Sequence, residues 1–531
     1  MPVSVTNQQS SSTPSPFQQN ISINSFAYHN FENQSLNNVE FFSPSGNTIP
    51  SWLQSGDLAS FNGASSYANL PGNYPFSAAS TFTVSVWFKT TSDGVVLWNS
   101  GAQFPANNGY SPIIYVTTAG DLAGGDWVGS QPFDTNYFVA NGKWNLVTIT
   151  QTPSEQILYL NGNEIATKSG TPQSCSPTYW FVGNGHSGWA GTDTSTSNFY
   201  FNGYISNLQF YNQVFSPSKV ALLYDEGLAG LPLNSSGLIA WYLLSGNGNQ
   251  QNGHNTLAIN NIQFNGVSSA STNTSYWLKV GSIQPKGSYI AFMGFALPNI
   301  SLFNNTNDGE APQLSATYGE YDDGANVFNN YFSGSSLTGW TTAGTSGQTT
   351  TAPAGNPTFG TNAFYANGAG GDYLYTTASG QSTNSIIEFY GYTANLQDLF
   401  FLVNSAGAGQ MMRDGNGGGW YGLASTASWT SWSAPPGTGI WSNEWVTVGI
   451  VIANGVATGY LSVGVNPYGS EIGSNPSNQY TVTNNGNYLG LVGDGASSTT
   501  TQYWNGIIVR AYPPNGIMPI ETVGPLNGIV S

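Results

Sequence analysis

KWNLVTITQTPSEQILYLNG (residues 143–162) opens beside a tryptophan, runs through an alternating strand, turns at Thr-Pro-Ser-Glu, and returns through a second alternating strand. Alternation of apolar and polar side chains with a period of two is the mark of a half-buried β-strand. Far downstream, EWVTVGIVIANGVATGYLSVG (444–464) repeats the plan: tryptophan, strand, turn, strand. Working outward, TFTVSVWFKT (81–90) precedes the first copy and NSIIEFYGYT (384–393) the second. Trp87 lies 57 residues before Trp144, and Phe389 lies 56 before Trp445. Further on, FVGNG (181–185) matches LVGDG (491–495), and FNGYISNLQFY (201–211) matches WNGIIVRAY (504–512). Four features in one order predict two copies of one β-sandwich.

The rest of the chain reads the same way. Short runs rich in Val, Ile, Thr, Tyr and Trp alternate with Asn-Gly, Asp-Gly and Gly-Gly turns, so the class is all-β. One helix is expected: Ser216 caps it, Pro217 suits its first turn, Val220, Leu223 and Tyr224 share a face, and Gly227 stops it. Trp87, Trp144 and Trp445 sit on alternating strands and are assigned to the core.

At 531 residues the chain is long enough for two to four domains, and 28 Phe, 16 Trp and 30 Tyr can fill their cores. Charged residues are only 6%, against roughly 25% in an average soluble domain. With 8 basic and 25 acidic side chains, and a net charge of −17, no basic patch can grip nucleic acid. Few ion pairs can be lost to acid, and little positive charge can be gained. The composition suits acidic surroundings, and stability should vary weakly between neutral pH and about pH 3; the other reading is the neutral polar surface of many extracellular β-proteins. Cys175 stands alone, which excludes an intramolecular disulfide and a cysteine metal site. No run of 18 apolar residues occurs, so no membrane insertion is expected. Met1 to Pro16 reads as no signal peptide. A surface-type composition without a secretion signal points to cell lysis, virion assembly or prior processing, and so towards a virus.

SFNGASSYANLP (60–71), TVSVWFKT, WNLVTI, LYLNG, FNGYISNLQFYNQVFSPSKVALLYDEG and GLIAWYLLSGNG (237–248) resemble a laminin-G-like, concanavalin-A-like jelly roll over residues 57–266. In that family GLIAWYLLSGNG usually opens the domain, but here it follows the helix, which implies a circular permutation or another pairing. PFQQNISINS (16–25), NVEFFSPSGNTIPSWLQSG (38–56) and STNTSYWLKVGSIQPKGSYIAFMGF (271–295) resemble an uncharacterised β-domain common on archaeal surface proteins. There these segments run nearly consecutively. APQLSATYGEYDDGANVFNNYFSGSSLTGW (311–340) and VRAYPPNGIMP (509–519) resemble the concanavalin-A-like lobe that often accompanies it. The resemblances imply a small discontinuous β-sandwich over 16–56 and 267–300, an inserted jelly roll over 57–266 and a second jelly roll over 331–531; the Ser-, Gln-, Thr- and Pro-rich residues 1–15 read as a flexible arm, and 301–330, rich in Asn, Gly and Asp, as a polar connection. They imply no settled activity, because lectins, glucanases and adhesion modules share this sandwich.

Glycoside hydrolysis needs two carboxylates facing each other across the substrate. The candidate strands carry one acid each or none: Glu388, Glu444, and Glu155 and Glu164 flanking a hairpin. Glu320, Asp322 and Asp323 cluster in GEYDDG, with Asp308 and Glu310 upstream. That is loop chemistry, either a solvated connection or oxygen ligands for calcium near Asp322 and Asp323. His29, His186 and His254 lack spaced partners and read as ordinary polar or turn histidines. No catalytic residue is assigned.

Aromatics in polar loops are the remaining candidates, because a sugar stacks its C–H face on Trp or Tyr. Residues 414–441 offer Trp420, Tyr421, Trp429, Trp432 and Trp441; NGHSGWAGTD (184–193) offers Trp189, and GGDWVG offers Trp127. Any one of these can instead fill a core or a subunit contact. Sequons at Asn20, Asn33, Asn234, Asn273, Asn299 and Asn304 fit an exposed glycoprotein and leave the C-terminal lobe bare.

The expectation is a non-enzymatic virion surface protein of an archaeal virus, in a spike, turret or fibre. It would assemble with other virion proteins and with copies of itself, and its lobes would contact host cell-surface glycans or glycoproteins. A cellular archaeal adhesin or pilus-associated protein is the alternative, and a secreted glycan hydrolase the third reading.

Overall fold

The computed structural model describes residues 1–70, 80–105, 110–128, 131–173, 179–192, 198–232, 236–253, 255–296, 324–353, 362–367, 372–377, 384–393, 400–403, 409–415, 419–425, 428–431, 444–469, 479–481, 488–492 and 501–525. The fold is all-β, with antiparallel sheets stacked into sandwiches. The chain divides into two compact units, one of Asn24–Leu36 and Ser55–Thr274, the other of Met1–Ile23, Asn37–Gln54 and Ser275–Ser531.

In the first unit, strand Phe82–Lys89 lies between Trp144–Thr152 and Asn202–Tyr211. Val84, Val86 and Phe88 turn inward and meet Leu97, Ile114, Leu122, Trp180 and Val182 of the facing sheet. The intervening Trp87 turns outward, yet it too is buried, beneath Val220 and Leu223 of the helix Pro217–Asp225. Ser216 caps that helix by accepting from Lys219 N, and Gly227 ends it at φ 73°. Trp144, expected in the core, is only half-buried, because it starts its strand at the end of the sheet. The strand Leu238–Tyr242 pairs antiparallel with the second half of Asn202–Tyr211, which answers where GLIAWYLLSGNG goes.

The second unit repeats this arrangement. Strand Ser385–Thr393 lies between Glu444–Ala453 and Gln502–Ala511, and Ile387, Phe389, Val448 and Ile450 face Leu374, Leu489 and Leu491. In both sandwiches the strand that closes the trio carries a bulge at one place. Its register slips between Ser206 and Gln209 against Trp87 and Ser85, and between Asn505 and Ile508 against Tyr390 and Glu388. Asn207 (φ 50°) and Gly506 (φ 58°) hold the left-handed bulge residue. The matched FNG and WNG triplets are therefore not equivalent in space, because Ser206 rather than a residue near Gly203 occupies the place of Asn505. FVGNG and LVGDG are likewise one residue out of step, since Trp180 and Val182 face one core while Leu489 and Leu491 face the other. A slip of one residue exchanges the two faces of a strand.

The second unit also contains a three-stranded sheet, Phe17–Ile23, Thr274–Val280 and Ser51–Ser55, and a four-stranded sheet ordered Val39–Phe42, Ser288–Phe295, Pro2–Thr6, Ile520–Val523. Two expected boundaries change here. Residues 1–15 are no flexible arm: Pro2–Thr6 is an inner strand with Val3 and Val5 fully buried, and Thr13 Oγ1 accepts from Ile283 N at 2.7 Å. The short Val-Ser-Val alternation was masked by the Ser, Gln and Pro around it. Ile520–Val523, expected in the C-terminal jelly roll, pairs with Pro2–Thr6 instead.

The outer face of the Ser385–Thr393 sheet is covered by Trp52, Trp277, Phe328 and Tyr468. Within this layer Glu388 and Arg510 form a buried two-pronged pair, Nε to Oε2 at 2.6 Å and Nη2 to Oε1 at 3.1 Å. The guanidinium lies 4.9 Å from the Trp277 ring, whose Nε1 donates to Gln54 Oε1 at 2.7 Å. Arg510→Ala should cost about 3–5 kcal/mol by stranding Glu388, whereas Glu388→Leu with Arg510→Met should restore much of it. Urea unfolding of the single and double variants checks both parts.

Where the chain enters and leaves the first sandwich, Asp57 joins the two ends. Its Oδ1 accepts from Thr272 N at 2.9 Å and its Oδ2 from Thr272 Oγ1 at 2.6 Å. A Cβ on Gly56 would stand 2.2 Å from Gly266 O, so the strands can close this tightly only around glycine. These contacts support the insertion, which we put forward as a proposal. Residues 55–274 expressed alone should be soluble and unfold cooperatively. Asp57→Ala should destabilise that fragment by about 1.5–3 kcal/mol through loss of hydrogen bonds to a charged group. An aggregated fragment, or an indifferent variant, would count against the closed neck.

Candidate functional site

The strand Asp121–Val128 breaks its register with Gln131–Phe138 between Gly124 and Val128, so that Gly125, Asp126 and Trp127 oppose a single residue. Gly124 makes the break possible: at φ 145°, a Cβ there would lie 2.2 Å from Ile113 O. Bulges of this kind re-aim side chains. Asp126 turns into the sandwich, and Trp127 turns out.

Trp127 is half-buried, and its Nε1 donates to Tyr110 O at 2.7 Å. With the indole N–H satisfied by the protein, the ring offers an apolar face. The Tyr110 ring lies 6.4 Å away at 60° and stacks on His186 at 5.9 Å and 24°. Beneath them is a buried floor of Trp98, Tyr115, Phe181 and Trp189. Hydrogen bonds fix that floor: Trp98 Nε1 donates to Asn184 Oδ1 at 3.3 Å, and Tyr115 Oη to Ala190 O at 2.8 Å. Half-buried Phe104 packs on Phe181 and Tyr67 at its other end, and Tyr179, 36% exposed, marks the rim. An aromatic surface whose Trp127, Trp98 and Tyr115 polar atoms are hydrogen-bonded and whose outer rings are partly exposed suits the C–H face of a sugar.

Trp127 thus occupies such a surface. Trp189 does not: at 3% exposure it packs on Tyr115 and Trp98 as part of the floor, because its loop folds back over the sheet. Tyr110, Phe104 and His186 were missed by the sequence reading. The aromatic-rich alternation of YSPIIYV was the available signal for Tyr110, whereas His186 reaches the cluster through a loop that has no periodicity.

In the second sandwich, Tyr421 pairs with Arg413 and Ser431, Trp420 with Asp414, and Trp429 with Leu423. The side chains of Trp420, Tyr421 and Trp429 lie outside the described residues. Trp432 and Trp441 lie outside the described residues. So do Asn234, Asn299, Asn304, His254 and the calcium candidates Asp308, Glu310, Glu320, Asp322 and Asp323. Among the described residues, no group of three or more His, Cys, Asp or Glu could hold a metal. Asn20 lies in a strand and donates to Ser275 Oγ at 2.7 Å, Asn33 accepts from Ser35 N at 3.0 Å, and Asn273 is exposed.

Behind Trp127, burial pushes the Asp126 carboxyl up to about 6 despite Ser111 and Gln151 beside it. In the segment Asn24–Leu36, burial pushes Glu32 up to about 8 despite its hydrogen bond from Ser25. Both values lie above the unfolded value near 4. The stability these acids contribute is therefore complete below about pH 4, and is lost as pH rises through about 6 for Asp126 and about 8 for Glu32.

Residues 62–221 match a laminin-G-type family model described as the Concanavalin A-like lectin/glucanases superfamily. The first sandwich has the concanavalin-A-like fold that this model describes. The chain is 26% identical over 285 residues to uncharacterized protein 562 of Sulfolobus islandicus rod-shaped virus 1, covering 47% of each. It thus spans about half the length of this curated relative. Among solved structures it is similar to domains LG4-5 of the mouse laminin alpha1 chain, with 10% identity, TM-score 0.25, and coverage of 88% of this chain and 94% of that one. It is also similar to a putative carbohydrate binding protein from Bacteroides ovatus, with 14% identity, TM-score 0.30, and coverage of 50% and 93%.

The melting temperature should rise as pH falls from about 8.5 to 5, and Asp126→Asn with Glu32→Gln should flatten the slope. A parent that melts higher at the alkaline end would contradict the burial of these acids.

Proposed function

We propose that this protein is a non-enzymatic surface component of an archaeal virion, part of a spike, turret or fibre, whose jelly-roll lobes hold host-surface glycans. The observation that carries the reading is Trp127: an indole fixed by a hydrogen bond to the backbone, with its ring at the surface beside Tyr110. The similarity to a viral protein supports the virion setting, and the lectin and glucanase superfamily supports the sugar. Binding rather than hydrolysis is favoured because Glu388, the acid within a central strand, is buried and held by Arg510. Exposed Asn273 suits glycosylation. Other virion proteins and further copies of the chain are its partners in the assembly.

Trp127→Ala should weaken binding to host envelope by about 1–3 kcal/mol, as loss of a stacking ring does on aromatic platforms elsewhere, with the melting temperature little changed. Tyr421→Ala tests the second lobe in the same assay. Mass spectrometry of purified virions should find the protein there rather than in uninfected host envelope. Unchanged binding by Trp127→Ala would remove the sugar reading, and absence from virions would remove the viral one.

A further inference from the structure

We propose that the second sandwich has its own saccharide platform, formed by Tyr373 and Tyr375, so that one chain holds two neutral sugar rings. The proposal rests on the glycan-holding reading above and adds a site that the tryptophan-rich stretch 414–441 does not contain.

Leu374 is fully buried in the core, so its neighbours on strand Tyr373–Thr376 project from the opposite, outer face. Both tyrosines are half-buried, with ring centres 6.0 Å apart and planes inclined at 32°. Their surroundings keep the rings open. On one side the cross-strand partners are Ala343 and Thr341, and on the other Val492 stands opposite Tyr373 and Gly490 opposite Tyr375. With Thr341, Ala343 and a glycine as cross-strand neighbours, the two rings are lightly crowded there and remain partly exposed. The Tyr hydroxyls add donor and acceptor groups at the ring tips, where sugar hydroxyls would lie.

The position matches that of the first platform. Strand Tyr373–Thr376 pairs with Tyr488–Val492, as Tyr67–Asn69 pairs with Tyr179–Val182 in the first sandwich. On the latter pair, Tyr67 lies 5.2 Å from Phe104, within the aromatic surface that includes Trp127 at its other end. One face of one sheet has thus been furnished with rings in both copies. The cross-strand neighbours are uncharged, and Asp372, next in sequence, is buried and accepts from Thr345 N at 2.7 Å. Among the described residues, these cross-strand neighbours offer no cation to a carboxylate or sulfate, so the ligand is a neutral pyranose.

Native mass spectrometry of the whole chain with a panel of neutral gluco-, manno- and galacto-oligosaccharides, and acidic counterparts, tests this. The expected result is two neutral ligands per chain. Tyr373→Ala with Tyr375→Ala should leave one, Trp127→Ala should leave one, and the combination none. Affinity at the second site should fall about tenfold or more in the alanine variant, while Tyr373→Phe with Tyr375→Phe retains most of it by keeping the rings. Melting curves accompany each variant, and the phenylalanine pair keeps the test decisive if the alanine pair unfolds. One ligand per chain, lost with Trp127→Ala and indifferent to both tyrosines, overturns the second platform and leaves the first. Preference for the acidic panel at the tyrosine site overturns the ligand class. No binding by the parent removes both this proposal and the reading on which it rests.

Discussion

The central strand of each sandwich is buried on both faces, and the other parts of the fold follow from that burden. Phe82–Lys89 sets Val84, Val86 and Phe88 against the facing sheet, which leaves Trp87 to be covered from behind by the helix Pro217–Asp225. Ser385–Thr393 sets Ile387 and Phe389 inward and leaves Glu388 and Tyr390 to be covered from behind as well. The first cover is helical and apolar. The second is a three-stranded sheet, and it meets a carboxylate. Arg510 and the Trp277 ring answer that carboxylate, because a buried charge without a partner would cost more than the layer could offset. One topology thus supports two different back faces.

Bulges do the positioning. The left-handed residue at Asn207 and at Gly506 adds one residue to the closing strand of each trio. In the first copy the Asn207 side chain is then put to use: Nδ2 donates to Leu228 O at 3.2 Å, and Oδ1 accepts from Trp241 Nε1 at 2.8 Å. That network ties the end of the helix to the sheet. The break around Gly124 and Gly125 sets Gly125, Asp126 and Trp127 against a single residue of the neighbouring strand, with Asp126 buried and Trp127 packed on the outer aromatic layer.

With so few charges, the interior is closed by amides and hydroxyls: Gln18 donates to Val327 O and accepts from Ala511 N, while Asn7 donates to Ile283 O. Neutral groups of this kind do not titrate, so acid leaves them intact. In Asp126 and Glu32 burial favours the protonated form, up to about pH 6 and about pH 8 respectively. The polar network and the raised acids therefore work in one direction as pH falls.

The sequence by itself determined the all-β class, the two related sandwiches, the single long-range spacing between their paired strands, and the helix with its cap. These are local signals, alternation at period two and capping at fixed offsets, and physics reads them over a few residues at a time. Tertiary structure alone decided what depends on faces and registers. Pro2–Thr6 became an inner strand because distant partners were there to pair with it. The FNG and WNG triplets parted because a bulge, not a motif, sets the register. Trp189 and Trp127 look alike in sequence, each beside glycine or aspartate in a polar stretch, yet one is floor and the other surface. Which face a ring takes is settled by one residue of strand phase and by what folds over it, and neither is written locally.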